Sequence, residues 1–295
     1  SSQNEQDNRN YAKAMKIAMF EPSDSQECLD MVKEAYKVSE EYAVPIMLRM
    51  TTRVCHSKSL VVDDERQDIP HVPYVKQRDK MDAIPAISKQ RRYVVEEREQ
   101  RLKAYAEICP FNTEEMHDTK IGIIAAGAAY MYAKEALGDN ASYLKLGFTY
   151  PLPMQKIRDF AAKVDTLYVV EELDPFMEEA IKAAGIPCHG KDVIPGIDEL
   201  NPNIVAKGIL GEAKHGVTVP DSLFVPRPPA LCAGCPHRGF FYELAKKKNT
   251  VMVGDIGCYA LGGAAPLNAK DMAICMGSAF AVGHGLCHGF TQRSG

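Results

Sequence analysis

The chain has 295 residues, 46% of them hydrophobic and 25% charged, with a formal net charge of -4, close to globular averages and long enough for two or three packed domains. The small negative charge gives no general pull toward nucleic acid, which needs a basic face to replace phosphate counterions. No run reaches the roughly 18 to 20 apolar residues of a membrane helix, and the start, Ser1 to Asn10, is polar rather than signal-like, so a cytoplasmic protein is expected.

The first sixty residues read as strand, helix, strand: Lys16 to Phe20, a helix from Ser25 to Tyr42, then Val44 to Met50. Ser23 with Gln26 and Asp24 with Glu27 are two overlapping capping boxes, and Leu29, Val32, Tyr36 and Ser39 recur at helical spacing. This is one βαβ unit. It starts from what reads as a polar loop and cannot cover both faces of a parallel sheet alone, so more of this domain is expected before Ser1. From Val61 to Thr119 the apolar periodicity fades, Pro70, Pro73 and Pro85 interrupt, and Lys89 to Arg101 is rich in Arg and Glu. That segment reads as an interdomain connection with one exposed helix.

Alternation then resumes. Lys120 to Gly127 is a strand, Ala128 to Leu137 a helix stopped by Gly138, and Tyr143 to Leu146 a strand. Met154, Ile157, Phe160, Ala161 and Val164 mark an amphipathic helix, Leu167 to Val170 a strand, and Phe176 to Ala184 a helix closed by Gly185. Such spacing predicts an α/β fold of doubly wound parallel sheets. After the Pro-rich break Pro220 to Pro229 come a helix near Phe240 to Lys247, a strand Thr250 to Val253, and a glycine-rich loop and helix running to the end. There is no internal repeat.

Nine cysteines, an odd number without an export signal, argue against a disulfide framework. Cys28, Cys55, Cys109 and Cys188 read mostly as plain buried thiols, whereas Cys232, Cys235, Cys258, Cys275 and Cys287 crowd the C-terminal part. Cys232-Ala233-Gly234-Cys235-Pro236-His237 is a C-x-x-C that can turn both thiolates toward one metal or close a redox disulfide. No second pair at zinc-finger spacing exists. Cys258 lies in Gly254-Asp255-Ile256-Gly257-Cys258-Tyr259, just after the predicted strand, where open α/β sheets place ligands; an ordinary Gly-Asp turn reads equally simply. Ala273 to Gly285 runs from an apolar approach into small residues that let a helix pack closely on a neighbour or a cofactor. Gly283-His284-Gly285 lacks the third glycine of a dinucleotide fingerprint, and His284 with His288, one turn apart, could chelate a metal or simply be exposed.

In this order the three segments resemble the opening of the thiamine-diphosphate-binding domain of the large (alpha) subunit of indolepyruvate ferredoxin oxidoreductases. There a C-P-G-C-P-H-R segment, a G-D-I-G-C-Y-x-L-G loop and a C-M-G-A-S helix start follow one another; Cys232 to Arg238, Gly254 to Gly262 and Cys275 to Ser278 are similar to them. The departures are Ala233 for proline, Ala260 for threonine and Ser278-Ala279 for Ala-Ser. Ser1 to Arg9, Glu21 to Gln26, Arg49 to Ser59, Leu144 to Pro153 and Val169 to Pro175 also resemble the family.

The resemblance implies a transketolase-like set of domains: residues 1–60 the C-terminal part of a pyrimidine-binding domain, 61–119 the charged connection, 120–219 a transketolase C-terminal-like domain, and 220–295 the N-terminal part of the diphosphate-binding domain. It implies thiamine diphosphate, Mg2+ and a 4Fe-4S cluster as cofactors. Gly257, Cys258 and Tyr259 would line the diphosphate and thiazolium side, and Cys275, Met276 and Gly277 the aminopyrimidine side, with Met276 propping the bent cofactor. Cys232, Cys235 and Cys258 are three implied cluster ligands, the fourth lying elsewhere. The implied reaction is oxidative decarboxylation of aryl pyruvates, chiefly indolepyruvate, to acyl-coenzyme A, with ferredoxin and a smaller beta subunit as partners. The Mg2+-binding motif is expected after Gly295, the activating glutamate before Ser1 and a ferredoxin-like domain after the end, so this segment alone is expected to be inactive. Two other readings remain: a non-catalytic module in which Cys232, Cys235 and Cys258 or Cys287 bind zinc, and a related oxidoreductase acting on pyruvate or 2-oxoglutarate.

Overall fold

The computed structural model describes residues 6–63, 65–66, 73–213, 219–225 and 227–291. Pro70, read above as part of the connection, lies outside them. The chain divides into two compact units, Ser1–Gly216 and Val217–Gly295.

In chain order the first unit contains α1 (Arg9–Met15), β1 (Ala18–Phe20), α2 (Ser25–Tyr42), β2 (Ile46–Leu48), α3 (Thr52–His56), α4 (Arg78–Met81), α5 (Pro85–Ile108), β3 (Asn112–Glu115), β4 (Ile121–Ala126), α6 (Gly127–Leu137), β5 (Ser142–Leu146), β6 (Phe148–Tyr150), α7 (Met154–Ala161), β7 (Thr166–Val170), α8 (Phe176–Ala183) and α9 (Pro202–Leu210). The expected βαβ unit is present, with β1 and β2 parallel and Phe20 opposite Leu48. Of the two capping boxes only the second is used: Asp24 accepts from Glu27 N, while Glu27 accepts from the Ser23 amide and hydroxyl. Gln26 instead reaches Asp30.

Three expectations are corrected here. The polar start is helical from Arg9, and Lys16 is the left-handed residue that ends α1 rather than the first residue of a strand. This helix buries only Arg9 and Ala12, so it carries no apolar stripe to read. The buried stripe of α2 is Met31, Ala35, Val38 and Tyr42, while Val32 and Tyr36 are exposed. Two apolar stripes compete on that helix, and the one that meets β1 and α5 wins. Finally, α5 is longer than Lys89 to Arg101, and its C-terminal turns bury Leu102 and Ala106 in the core around Phe20 and Phe148.

The second sheet has the order β3-β5-β4-β7, with β4 parallel to both β5 and β7 and β3 antiparallel at the edge. Side chains alternate across it. Ile124, Leu144 and Val169 face Ile157 and Phe160 of α7 and Met177 and Ile181 of α8. Ile123, Ala125, Tyr143 and Val170 face Ala129, Ala133 and Leu137 of α6 and Val205 and Ala206 of α9. Helices on both faces make this an α/β doubly wound sheet. Helix α9, not anticipated above, is capped by Asn201, which accepts from Ile204 N, and ended by Gly211 in the left-handed region.

Directly after β5 the chain turns at Gly147 and enters β6, which pairs antiparallel with β1 and so belongs to the first sheet. A Cβ at Gly147 would lie 2.6 Å from both Met31 Cε and Phe111 Cβ, so only glycine fits the crossing. Asn112 fastens it: its buried Oδ1 accepts from Gly147 N at 3.0 Å and Phe148 N at 2.8 Å, and its Nδ2 donates to Ala106 O at 2.9 Å. Asn112→Ala removes three buried hydrogen bonds, of which only that of Gly147 N is backed by a second acceptor, Phe111 O at 3.0 Å, and is expected to cost about 2–3 kcal/mol. Urea midpoints measure it, and an unchanged midpoint would mean that the crossing is held otherwise.

The second unit contains α10 (Pro236–Ala245) and α11 (Ser278–Thr291). The first starts four residues earlier than Phe240, because Pro236 fits the opening turn of a helix. The predicted strand Thr250 to Val253 is not a regular strand: it makes one parallel bridge, Val253 to Met272. A single bridging neighbour gives it no ladder to extend. Leu231, Phe241 and Ala269 form the buried cluster, with Cys235, Leu244, Leu261 and Leu267 around it.

Candidate functional site

All three segments singled out in the sequence lie in the second unit, and the fold draws their edges together. In the first, Cys235 caps α10, Cys235 N donates to Cys232 O at 3.2 Å, and Gly234 takes φ +73° to close the turn. Arg238 returns from the first turn of α10 to donate to Cys232 O at 2.9 Å and to Leu231 O. Cys235 Sγ lies 3.3 Å from His237 Nδ1. The His237 ring stacks on Phe241 and meets the edge of Tyr259 with centroids 5.0 Å apart. Behind it Phe241 is 3% exposed, and a Cβ at Gly262 would stand 2.5 Å from its ring. Thus the C-x-x-C turn and the 3-10 turn Cys258–Gly263 share one aromatic anchor.

The second and third segments meet through the bridge. Parallel pairing of Val253 with Met272 sends both following loops out at the same end, supported by Gly254 N donating to Met272 O at 2.9 Å. Asp255 Oδ1 then accepts from Ala279 N at 2.9 Å, so this carboxylate caps α11. Ser278 N donates to Cys275 O, and Cys275 N donates back to Ser278 Oγ. Gly257 at φ +121° and Gly277 at φ +84° sit in the two loops, and a Cβ on either would meet nothing within 4 Å. Met276 is 76% exposed and Tyr259 47%. The arrangement offers two backbone loops bent by glycine, an exposed thioether and an exposed phenol, with open space above them.

The cysteines are less convergent. Cys235 is half-buried, and Cys232, Cys258 and Cys275 are exposed. Among the described residues no three His, Cys, Asp or Glu side chains are grouped to hold a metal ion, so Cys232, Cys235 and Cys258 do not form a ligand set. His284 and His288 lie ring to ring at 4.5 Å on α11, without a third ligand among those residues. In the first unit Cys109 is buried and its thiol pushed up by burial, and Cys188 is pushed up to about 11, again by burial first. At pH 8 a thiol titrating there is about one part in a thousand thiolate. Iodoacetamide is therefore expected to label Cys232, Cys258 and Cys275 well before Cys109 and Cys188, read by peptide mass spectrometry; equal rates would contradict the burial pattern.

The sequence places His237 directly after the C-x-x-C but did not single out its partner Phe241, although their spacing of four on α10 puts both on one face. It also passed over a buried ionic group in the first unit. Arg9 pairs with Asp7 and Glu171, and Arg49 with Glu21, all at or near the C-terminal ends of β1, β2 and β7. Only long-range structure could show it. No helix among the described residues is long and apolar enough to cross a membrane.

Residues 112–200, which hold the doubly wound sheet up to its last connection, match the family model described as the indolepyruvate oxidoreductase domain. Along almost its whole length the chain is similar to indolepyruvate oxidoreductase subunit IorA. The Methanothermobacter marburgensis relative is 35% identical over 99% of this chain and 52% of the relative, and the Pyrococcus horikoshii relative 36% identical over 97% and 49%. The chain spans about half the length of the curated relatives it matches. Among solved structures it matches a 2-oxoglutarate:ferredoxin oxidoreductase from Magnetococcus marinus with 2-oxoglutarate, coenzyme A and succinyl-CoA bound, at TM-score 0.46 and 12% identity, covering 66% of this chain and 42% of that one.

Proposed function

We propose that this chain contributes to the thiamine-diphosphate-binding subunit of an oxidoreductase that oxidatively decarboxylates aryl pyruvates, indolepyruvate first, to acyl-coenzyme A while reducing ferredoxin. The observation that carries this reading is the meeting of the Gly254–Tyr259 and Cys275–Ser278 loops through Asp255 and Ala279. In this reading residues 1–60 are part of a pyrimidine-binding domain, 61–119 a connection, 120–219 a transketolase C-terminal-like domain and 220–295 part of a diphosphate-binding domain. A smaller beta subunit and ferredoxin are the protein partners, Mg2+ accompanies the diphosphate, and the setting is cytoplasmic.

The two loops fit the cofactor in that the space over Gly257 and Gly277 is open where a side chain would otherwise stand. Thiamine diphosphate would supply the carbanion chemistry that decarboxylates a 2-oxoacid. The chain's own residues would position it. Gly257, Cys258 and Tyr259 would lie along the diphosphate and thiazolium side, and Cys275, Met276 and Gly277 along the aminopyrimidine. Met276, already exposed, would press on the cofactor without any rearrangement of the core. Asp255 would act on geometry alone, fixing the distance between the loops through the α11 cap.

A 4Fe-4S cluster on Cys232, Cys235 and Cys258 rests on the order of the sequence segments, since these thiols do not fit a cluster as folded.

The test is an anaerobic assay of the natural full-length chain with its partner subunit, following dye reduction dependent on indolepyruvate and coenzyme A. Reduction that requires thiamine diphosphate and Mg2+ is expected, with pyruvate and 2-oxoglutarate as poorer substrates. No reduction, together with one equivalent of zinc and no iron, would replace this reading with that of a cysteine-metal structural module.

A further inference from the structure

Beside the buried ionic group of the first unit lies a polar cavity of about 420 Å3, lined by Arg49 to Thr51 after β2, by the first residues of α3 through Arg53, and by Glu172 and Asp198–Glu199. Arg49, Thr51 and Glu172 also line a pit of about 10 Å3 beneath it, room for one water-sized group. Two oxygens at the pit are shielded from solvent and accept or donate no hydrogen bond: Glu21 Oε1 and Thr51 Oγ1. The residue Glu21 is 1% exposed. Its other oxygen is taken by Arg49 Nη1 at 2.6 Å.

The charges around the pit do not balance. Asp7, Glu21, Glu171 and Glu172 supply four carboxylates. Against them stand Arg9, Arg49 and Lys191, whose Nζ donates to Glu171 O. Burial in a low-dielectric site pushes the carboxyls of Glu171 and Glu172 up from their ordinary values. A water molecule would satisfy the bare oxygens but not the charge. A group with one positive charge and several donors satisfies both, and a pit of this size admits an ammonium head but no quaternary one. Over the cavity Arg53 and Glu199, both substantially exposed, form a bidentate pair at 2.8 and 2.6 Å.

We infer that this cavity is a binding site for a small primary amine, whose ammonium group enters the pit to donate to Glu21 Oε1 and Thr51 Oγ1 and whose body lies in the larger cavity beside the Arg53–Glu199 pair.

The test is calorimetric titration of the natural full-length protein with n-propylammonium chloride, alongside n-propanol, choline chloride and potassium chloride at matched ionic strength. Saturable binding of n-propylammonium alone is expected. Glu21→Gln and Thr51→Val should each weaken it by about tenfold or more, the magnitude of a lost hydrogen bond to a charged group. Thr51→Val removes only the hydroxyl, so it decides the matter should Glu21→Gln fail to fold. Equal binding of potassium or choline, binding of propanol as well, unchanged affinity in Thr51→Val, or no binding of propylammonium would each overturn the assignment.

Discussion

Arg9→Ala is expected to lower the stability of the first unit by about 3–5 kcal/mol, the range for removing one partner from a buried ion pair. The side chain is 1% exposed, and its guanidinium donates to Glu171 Oε2 at 2.6 Å, to Asp7 at 2.5 Å, and to the carbonyls of Glu172 and Asp174 at 2.9 Å each. Without it two carboxylates and two carbonyls lose a partner that ties α1 to the loop between β7 and α8. Glu171 keeps only its bonds from Met177 N and Glu178 N. Arg9→Lys should rescue little, since one ammonium cannot span acceptors that a planar fork reaches together.

The pair also sets an acid limb. Burial pushes the Asp7 carboxyl up, but the Arg9 hydrogen bond and charge overrule it and hold the group below its ordinary value of 3.8. A depressed carboxylate stabilises the fold above its unfolded value, and that contribution is lost as pH falls through the folded one. Urea midpoints at pH 7 and between pH 5 and 3 should therefore differ less in Arg9→Ala than in the parent chain. A loss under about 1 kcal/mol at pH 7 would place the pair among interactions worth no more than exposed ones.

Phe241→Ala is expected to melt the second unit selectively. Truncating a buried phenylalanine costs about 3–5 kcal/mol, and here the ring is one of three buried apolar side chains in its cluster. The same ring backs His237 and lies against the Cys258–Gly263 turn, so both cysteine segments lose their anchor. Hydrogen exchange should show amides of 236–245 and 258–263 losing protection while those of β4, β5 and β7 keep theirs. Equal loss in both units would contradict the division of the chain into two compact units.

The parts of this fold that were legible in the sequence are those where local and tertiary signals agree. Strands β4, β5 and β7 are short apolar runs bounded by glycine or polar turns, and α7 carries its apolar stripe onto the sheet. Elements held by polar long-range contacts were not legible. Helix α1 depends on one buried arginine, and β3 on Asn112. Strand β6 leaves its predecessor's sheet because Gly147 permits a turn whose direction nothing local specifies. At the candidate site, the order of the three segments could be read and their junctions could not. Asp255 reads as part of a Gly-Asp turn until its carboxylate is seen capping α11, and the C-x-x-C does not reveal that its helix shares the Phe241 anchor with the Cys258–Gly263 turn.

The most direct measurement is the affinity of the natural full-length protein for thiamine diphosphate in the presence of Mg2+, compared between the parent and Met276→Ala. Met276 is 76% exposed and supports no core, so thermal stability should be unchanged. Stoichiometric binding is expected in the parent and about tenfold or weaker affinity in the variant, the loss of one well-packed apolar contact. Equal affinity in both, or no binding in the parent, would contradict the proposed cofactor site.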